Sequence, residues 1–243
     1  MRKYGSLVLS SVFLMSFPAL VGAASLQVAP VSVEIPAPGA AAMLTLRNEG
    51  TGFLNAQIRV FRWAQVNGEE KLEPTDDVVA SPPMAVLAPK TSYVVRLVRV
   101  TKQPISSEES YRLLVDELPD PTRQRNGVVA MVLRYSIPVF FYPPGISEAK
   151  LTWSAEQRGA RTYVSATNDG DRHVRISELK LRNGDGTTVS FGSGLTGYVL
   201  GHSSMRWAAA GSRQRLGAGN SVVITAQGDR GPINASPSLQ PAR

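Results

Sequence analysis

Short segments in which apolar residues recur at every second position, cut apart by turn-forming residues, run through most of this 243-residue chain. Successive side chains of a strand point to opposite faces, so a period of two marks a sheet with one face in a core. Leu26 and Val28, then Val31, Val33 and Ile35, read as one such segment broken at Pro30. Met43, Leu44 and Leu46 follow, and residues 55–63 read as a long strand. Val66-Asn67-Gly68-Glu69 is a hairpin signal, because Asn-Gly supplies the positive φ that tight hairpins require. Tyr93, Val95 and Leu97 alternate, as do Tyr111, Leu113 and Val115. Beyond the N-terminus no segment has a period of 3.6. With 21 Gly and 17 Pro, long continuous helices are disfavoured.

This pattern predicts an all-β chain. Seven or so strands per half, at this spacing, predict two antiparallel β-sandwich domains of immunoglobulin-like type. Pro143-Pro144-Gly145 marks the boundary, giving a first domain over 25–144 and a second over 145–228. The Pro/Gly/Ser-rich stretch 229–243 is expected to be a flexible tail.

Residues 1–24 read as a signal peptide. Arg2 and Lys3 precede an apolar stretch of signal-peptide length, and Val21-Gly22-Ala23-Ala24-Ser25 allows cleavage after Ala23 or Ala24. The mature chain is expected to be exported, with no membrane span of its own. Losing Arg2 and Lys3 leaves 24 basic residues against 19 acidic, a net charge near +5. These charges are scattered and carry no interleaved aromatic stripe, so nucleic acid is not an expected partner. The absence of cysteine excludes a disulfide scaffold. His173 and His202 form no metal-ligand pattern, and His202-Ser203 lacks a nucleophile elbow. Asn168-Asp169-Gly170-Asp171 reads as a turn rather than a calcium loop. Four methionines are too dispersed to bind copper together (Met43, Met84, Met131 and Met205). Trp63, Trp153 and Trp207 read as core or interdomain packing. No enzyme activity and no cofactor are expected.

One segment departs from the alternation. Val128, Val129, Ala130, Met131, Val132 and Leu133 are apolar at six successive positions, within a strand expected over 128–141 that includes Tyr135. Such a run implies that both faces are covered. It fits either a central strand of the core or a strand near a sheet edge whose second face meets a partner. Burying three of these side chains against another protein would contribute on the order of 5 kcal/mol. Pairing residues 111–117 with this strand symmetrically about residue 123 sets Arg112 opposite Arg134. Two guanidinium charges about 5.5 Å apart repel by about 3 kcal/mol at an effective dielectric near 20. An anion is therefore expected between them, either an internal carboxylate such as Asp116 or a ligand carboxylate gripped by the guanidinium fork. Arg96 and Arg99 are further candidates. An edge strand with two apolar faces and an arginine pair suggests capture of an added strand and of its terminal carboxylate.

The sequence resembles the periplasmic pilus-assembly chaperones of the chaperone–usher systems. The resemblance rests on Leu26-Gln27-Val28-Ala29-Pro30-Val31, Leu44-Thr45-Leu46-Arg47-Asn48 and Ser81-Pro82-Pro83. Val94-Val95-Arg96-Leu97, Tyr111-Arg112-Leu113, Glu117-Leu118-Pro119 and Ser136-Ile137-Pro138-Val139-Phe140 continue it. In the second half it rests on Thr167-Asn168 and Gly194-Leu195-Thr196-Gly197-Tyr198-Val199-Leu200. It implies an L-shaped pair of immunoglobulin-like domains in the periplasm. It also implies a donor strand that completes a pilin subunit, folding and capping it before delivery to an outer-membrane usher. The stretch 134–140 is more similar to the archaic branch, whose subunits resemble spore coat protein U. The anchor residues of the better-known branch do not carry over. No Lys or Arg lies between Ala24 and Leu46, and the late position near Val139 is apolar. Arg112 and Arg134, with Arg96 behind them, are the expected carboxylate anchors in their place. The rival expectation, a secreted pilus or adhesin subunit, calls for one incomplete domain with an N-terminal donor extension.

Overall fold

The computed structural model describes residues 25–119, 132–159, 161–209, 221–237 and 239–241. Residues 1–24, expected to be a signal peptide, and the run residues Val128, Val129, Ala130 and Met131 lie outside them. Among the described residues there are strands and no helix, hence none long and apolar enough to cross a membrane.

The first sandwich holds β1 (Leu26–Ala29), β2 (Val33–Pro36), β3 (Ala41–Asn48), β4 (Leu54–Val66) and β5 (Glu69–Pro74). It continues with β6 (Val78–Ser81), β7 (Met84–Leu87), β8 (Ser92–Arg99), β9 (Glu109–Leu118) and β10 (Arg134–Tyr142). One sheet has the order β1-β3-β8-β6; the other has β2-β10-β9-β4-β5, with β7 also on β4. The alternation drives this arrangement. Leu44 and Leu46 of β3, Val95 and Leu97 of β8, Tyr111, Leu113 and Val115 of β9, and Ile137, Val139 and Phe141 of β10 point inward into one buried cluster. Each side chain of this kind contributes about 1.5–3 kcal/mol by leaving water. The N-terminal segment changes sheets at its break, β1 pairing antiparallel with β3 and β2 parallel with β10. Val31, expected to alternate with Val33 and Ile35 in that segment, instead lies at this crossover, 71% exposed. The Asn67-Gly68 hairpin forms, with φ of 56° and 82° at the two residues.

The second sandwich holds β11 (Leu151–Arg158), β12 (Arg161–Asn168), β13 (Val174–Asn183), β14 (Thr188–Ser190) and β15 (Leu195–Val199). It ends with β16 (Ser203–Ala208), β17 (Val222–Gly228), β18 (Gly231–Ala235) and β19 (Leu239–Pro241). Its sheets have the orders β16-β12-β11-β19 and β14-β13-β17-β18, with β15 also on β13. The expected flexible tail, 229–243, thus holds two strands, over 231–235 and 239–241. β18 pairs with β17, and β19 lies parallel to β11, so backbone pairing overrides a composition that favours turns. Trp153 and Trp207 pack 6.3 Å apart against this core. The expected turn at Asn168 is built by its buried side chain, whose Oδ1 accepts from the backbone N–H of Gly170 at 3.0 Å and of Lys150 at 2.9 Å.

Candidate functional site

β10 is flanked unequally. β9 pairs with residues 134–141 on one side, whereas β2 covers only residues 139–142 on the other. Residues 134–138 therefore pair on a single flank among the described residues. Unpaired backbone N–H and C=O groups along such an edge are a template for another strand. The pairing with β9 also extends past the strand's formal start, since the Glu117 N–H donates to the Leu133 carbonyl at 2.8 Å. Val132 and Leu133, expected inside the strand, precede it; Leu133 is partly buried against the core, while Val132 is 48% exposed. Tyr135 packs partly against the same core, and its hydroxyl donates to the Leu26 carbonyl of β1 at 2.6 Å. The free part of β10 thus faces the edge strand of the other sheet across the mouth of the sandwich.

The expected facing of Arg112 and Arg134 is not found. Arg134 lies opposite Asp116, and Arg112 opposite Pro138. The pairing is centred on residue 125, two residues beyond the expected centre. The apolar period is blind to this difference, because an even shift keeps every side chain on its face. Charge decides instead: the observed register replaces a guanidinium pair by an ion pair. The two arginines stand four residues apart along the sheet, about 13 Å. Arg96 lies on β8 in the other sheet, exposed on its outer face opposite Met43 and Ser81.

Asp116 is held between Arg134 and Arg59, whose Nη2 lies 2.6 Å away. Burial pushes its carboxyl upward, but hydrogen bonds from Arg134 and Arg59 outweigh this and hold it below the usual carboxylate range. A lowered folded value means that this stabilisation is complete above the unfolded pKa, about 3.9, and is lost as pH falls through the folded value. Asp116→Asn is expected to cost about 1 kcal/mol at neutral pH. It should also flatten the fall in stability below about pH 4. Urea midpoints measured across pH check this; an unchanged acid limb would show that Asp116 does not contribute.

Arg112 occupies a different setting. Its side chain is 9% exposed, with the guanidinium 3.6 Å from the centre of the Trp63 ring and 5.2 Å from that of Tyr198. Burial lowers its pKa. Glu70 of β5 approaches it at 3.3 Å. Around it the two sandwiches meet. Trp63 and Phe140 of the first pack with Tyr198 and Leu200 of the second. His173 stacks on Phe140 at 3.4 Å between ring centres. Gln65 acts as a substitute peptide group: its Nε2 donates to the Tyr198 carbonyl at 2.9 Å, and its Oε1 accepts from the Leu200 N–H at 2.9 Å. Buried Glu108 accepts from the His173 backbone N–H at 2.7 Å, meets its Nδ1 at 2.9 Å, and pairs with Arg172 at 3.0 Å. At the β4–β5 turn, the Gly68 carbonyl accepts from the Arg206 N–H of β16 at 3.1 Å. Trp63 was legible as packing; Gln65, Glu108, His173 and Tyr198 carried no sequence signal for this role.

Catalytic geometry is not assembled at the histidines. His202 meets Asp171 at 2.8 Å, but the adjacent Ser203 hydroxyl donates to the Gly201 carbonyl. Among the described residues no group of three or more His, Cys, Asp or Glu side chains is placed to hold a metal ion.

Residues 25–147 match the family model for the pili and flagellar-assembly chaperone, PapD N-terminal domain, which spans just over half of the 243 residues. The chain belongs to this chaperone family. Solved structures agree with the membership. The chaperone is 25% identical, with a TM-score of 0.66, to a chain from the CsuC–CsuE chaperone–tip adhesion subunit pre-assembly complex of the archaic chaperone–usher Csu pili of Acinetobacter baumannii. That match covers 90% of this chaperone and 100% of that chain. The E. coli chaperone DraB is similar at 21% identity and a TM-score of 0.56, covering 89% and 98%. The Pseudomonas aeruginosa CupB2 chaperone is similar at 18% identity and a TM-score of 0.56, covering 88% and 100%. No curated protein matches the chaperone by sequence.

Proposed function

We propose that this chaperone works in the periplasm, where it captures pilin subunits as they are exported and passes them to an outer-membrane usher. The observation that carries the reading is the single-flank pairing of β10 over residues 134–138, beside the mouth closed by Tyr135 and Leu26. The free edge of β10 pairs with an incoming subunit and donates the strand that the subunit's sheet lacks. Val132 and Leu133, the described end of the apolar run, lie just before that edge. Arg112 then holds the subunit's terminal carboxylate; Arg134, committed to Asp116, and Arg96, on the other sheet, do not share this task. Two sandwiches, each with its own buried cluster, fit a chaperone better than a pilus subunit, which would bring one incomplete domain.

Co-export with a pilin encoded beside it tests the reading. The expected result is a soluble complex of one chaperone and one pilin, resolved by size exclusion and light scattering. Recovery of the two proteins apart, or polymers built from this chain alone, would overturn it.

A further inference from the structure

We propose that Glu70 is a displaceable stand-in for the ligand carboxylate at Arg112, occupying the guanidinium until a partner's chain terminus takes its place. This rests on the reading of Arg112 as the carboxylate anchor.

The contrast with Arg99 carries the inference. The two side chains are almost equally buried, at 7% exposure for Arg99 and 9% for Arg112. Arg99 is held in a fork by both oxygens of Glu109, at 2.8 and 2.7 Å, and also donates to the carbonyls of Thr101 and Gln103. Besides the Trp63 and Tyr198 rings, Arg112 has one hydrogen-bonding partner among the described residues, a single Glu70 oxygen at 3.3 Å. That exceeds the usual length of about 2.7–2.9 Å for a charged hydrogen bond, and leaves the planar fork without a matching carboxylate. A second donor in the same cluster is unpaired: the indole N–H of Trp63 is buried without an acceptor among the described residues. The site therefore has more donors than acceptors, and a carboxylate with two free oxygens corrects that imbalance.

Glu70 suits a displaceable role. It sits on β5, the outer strand of its sheet, and its side chain stays more than one-third exposed. Its cross-strand neighbour Gln65 has both amide atoms committed to the second domain and cannot substitute for it. A carboxylate that leaves such a position returns to water with little loss.

Arginine-labelled protein observed by NMR tests this, with the Arg112 signals assigned through R112Q. The probes are sodium acetate, with sodium chloride at matched ionic strength as control, and an acetylated Val-Thr octapeptide with a free or an amidated C-terminus. In E70Q the Arg112 signals should respond to acetate and to the acid peptide at about fivefold lower concentration than in wild type. Chloride and the amide should show no such difference. Equal response in wild type and E70Q would overturn the stand-in while leaving Arg112 as anchor. No response of Arg112 to either carboxylate in either protein would overturn both. E70A, with its urea midpoint measured, separates displacement from any change in folding.

Discussion

Phe140→Ala is expected to lower unfolding stability by about 3–5 kcal/mol, the range for removing a buried aromatic ring. Phe140 is fully buried, yet its side chain points away from the core of its own sandwich. It fills the contact between the two domains with Trp63, Tyr198 and Leu200, and carries the His173 ring at 3.4 Å. The loss should therefore separate the unfolding of the two halves. The amide of buried Leu113 reports on the first core and that of buried Leu181 on the second. In wild type their protection against hydrogen exchange should be lost together in urea; in the variant the two losses should part. A change below about 1 kcal/mol with coincident transitions would mean that the contact does not couple the domains.

Val132→Glu and Met131→Glu should each abolish recovery of the pilin complex while leaving the chaperone folded. Val132 is about half exposed in the free protein, so its replacement removes little core contact, and surface changes of this kind usually stay within about 0.5 kcal/mol. In the proposed complex this position lies against the pilin, where an unpaired carboxylate is costly. Met131 belongs to the same apolar run. The check is pull-down yield alongside the urea midpoint. Undiminished yield with an unchanged midpoint would remove this edge from the interface.

The elements legible in the sequence were those fixed by local rules. The period of two assigned Tyr111, Leu113 and Val115 to the core, and Asn67-Gly68 announced its hairpin. Register was not legible, because any even displacement satisfies the same pattern. The two-residue difference in the centre of pairing separated Arg112 from Arg134 and joined Arg134 to Asp116. Asp116 was one of the two anions expected between arginines, the other being a ligand carboxylate; it does lie between two, but the second is Arg59 rather than Arg112. The junction of the domains was invisible for another reason. Gln65 meets Tyr198 and Leu200, and Glu108 meets His173, across long sequence separations, and none of these residue types advertises such a role. The turn-rich stretch after residue 228 misled because its turn residues close a hairpin between β17 and β18, and because β19 forms by docking onto the distant β11.

Gly68 has a consequence for traffic between copies of the protein. A β-carbon there would stand 3.1 Å from that of Arg206, so the hairpin tip comes this close only because the residue is glycine. It stoppers the outer margin of β16, while Glu69, Glu70, Lys71 and Glu73 stud the neighbouring ribbon with charge that repels a like ribbon. The outer margins of β5 and β16 are thereby poor templates for a second copy of the chaperone.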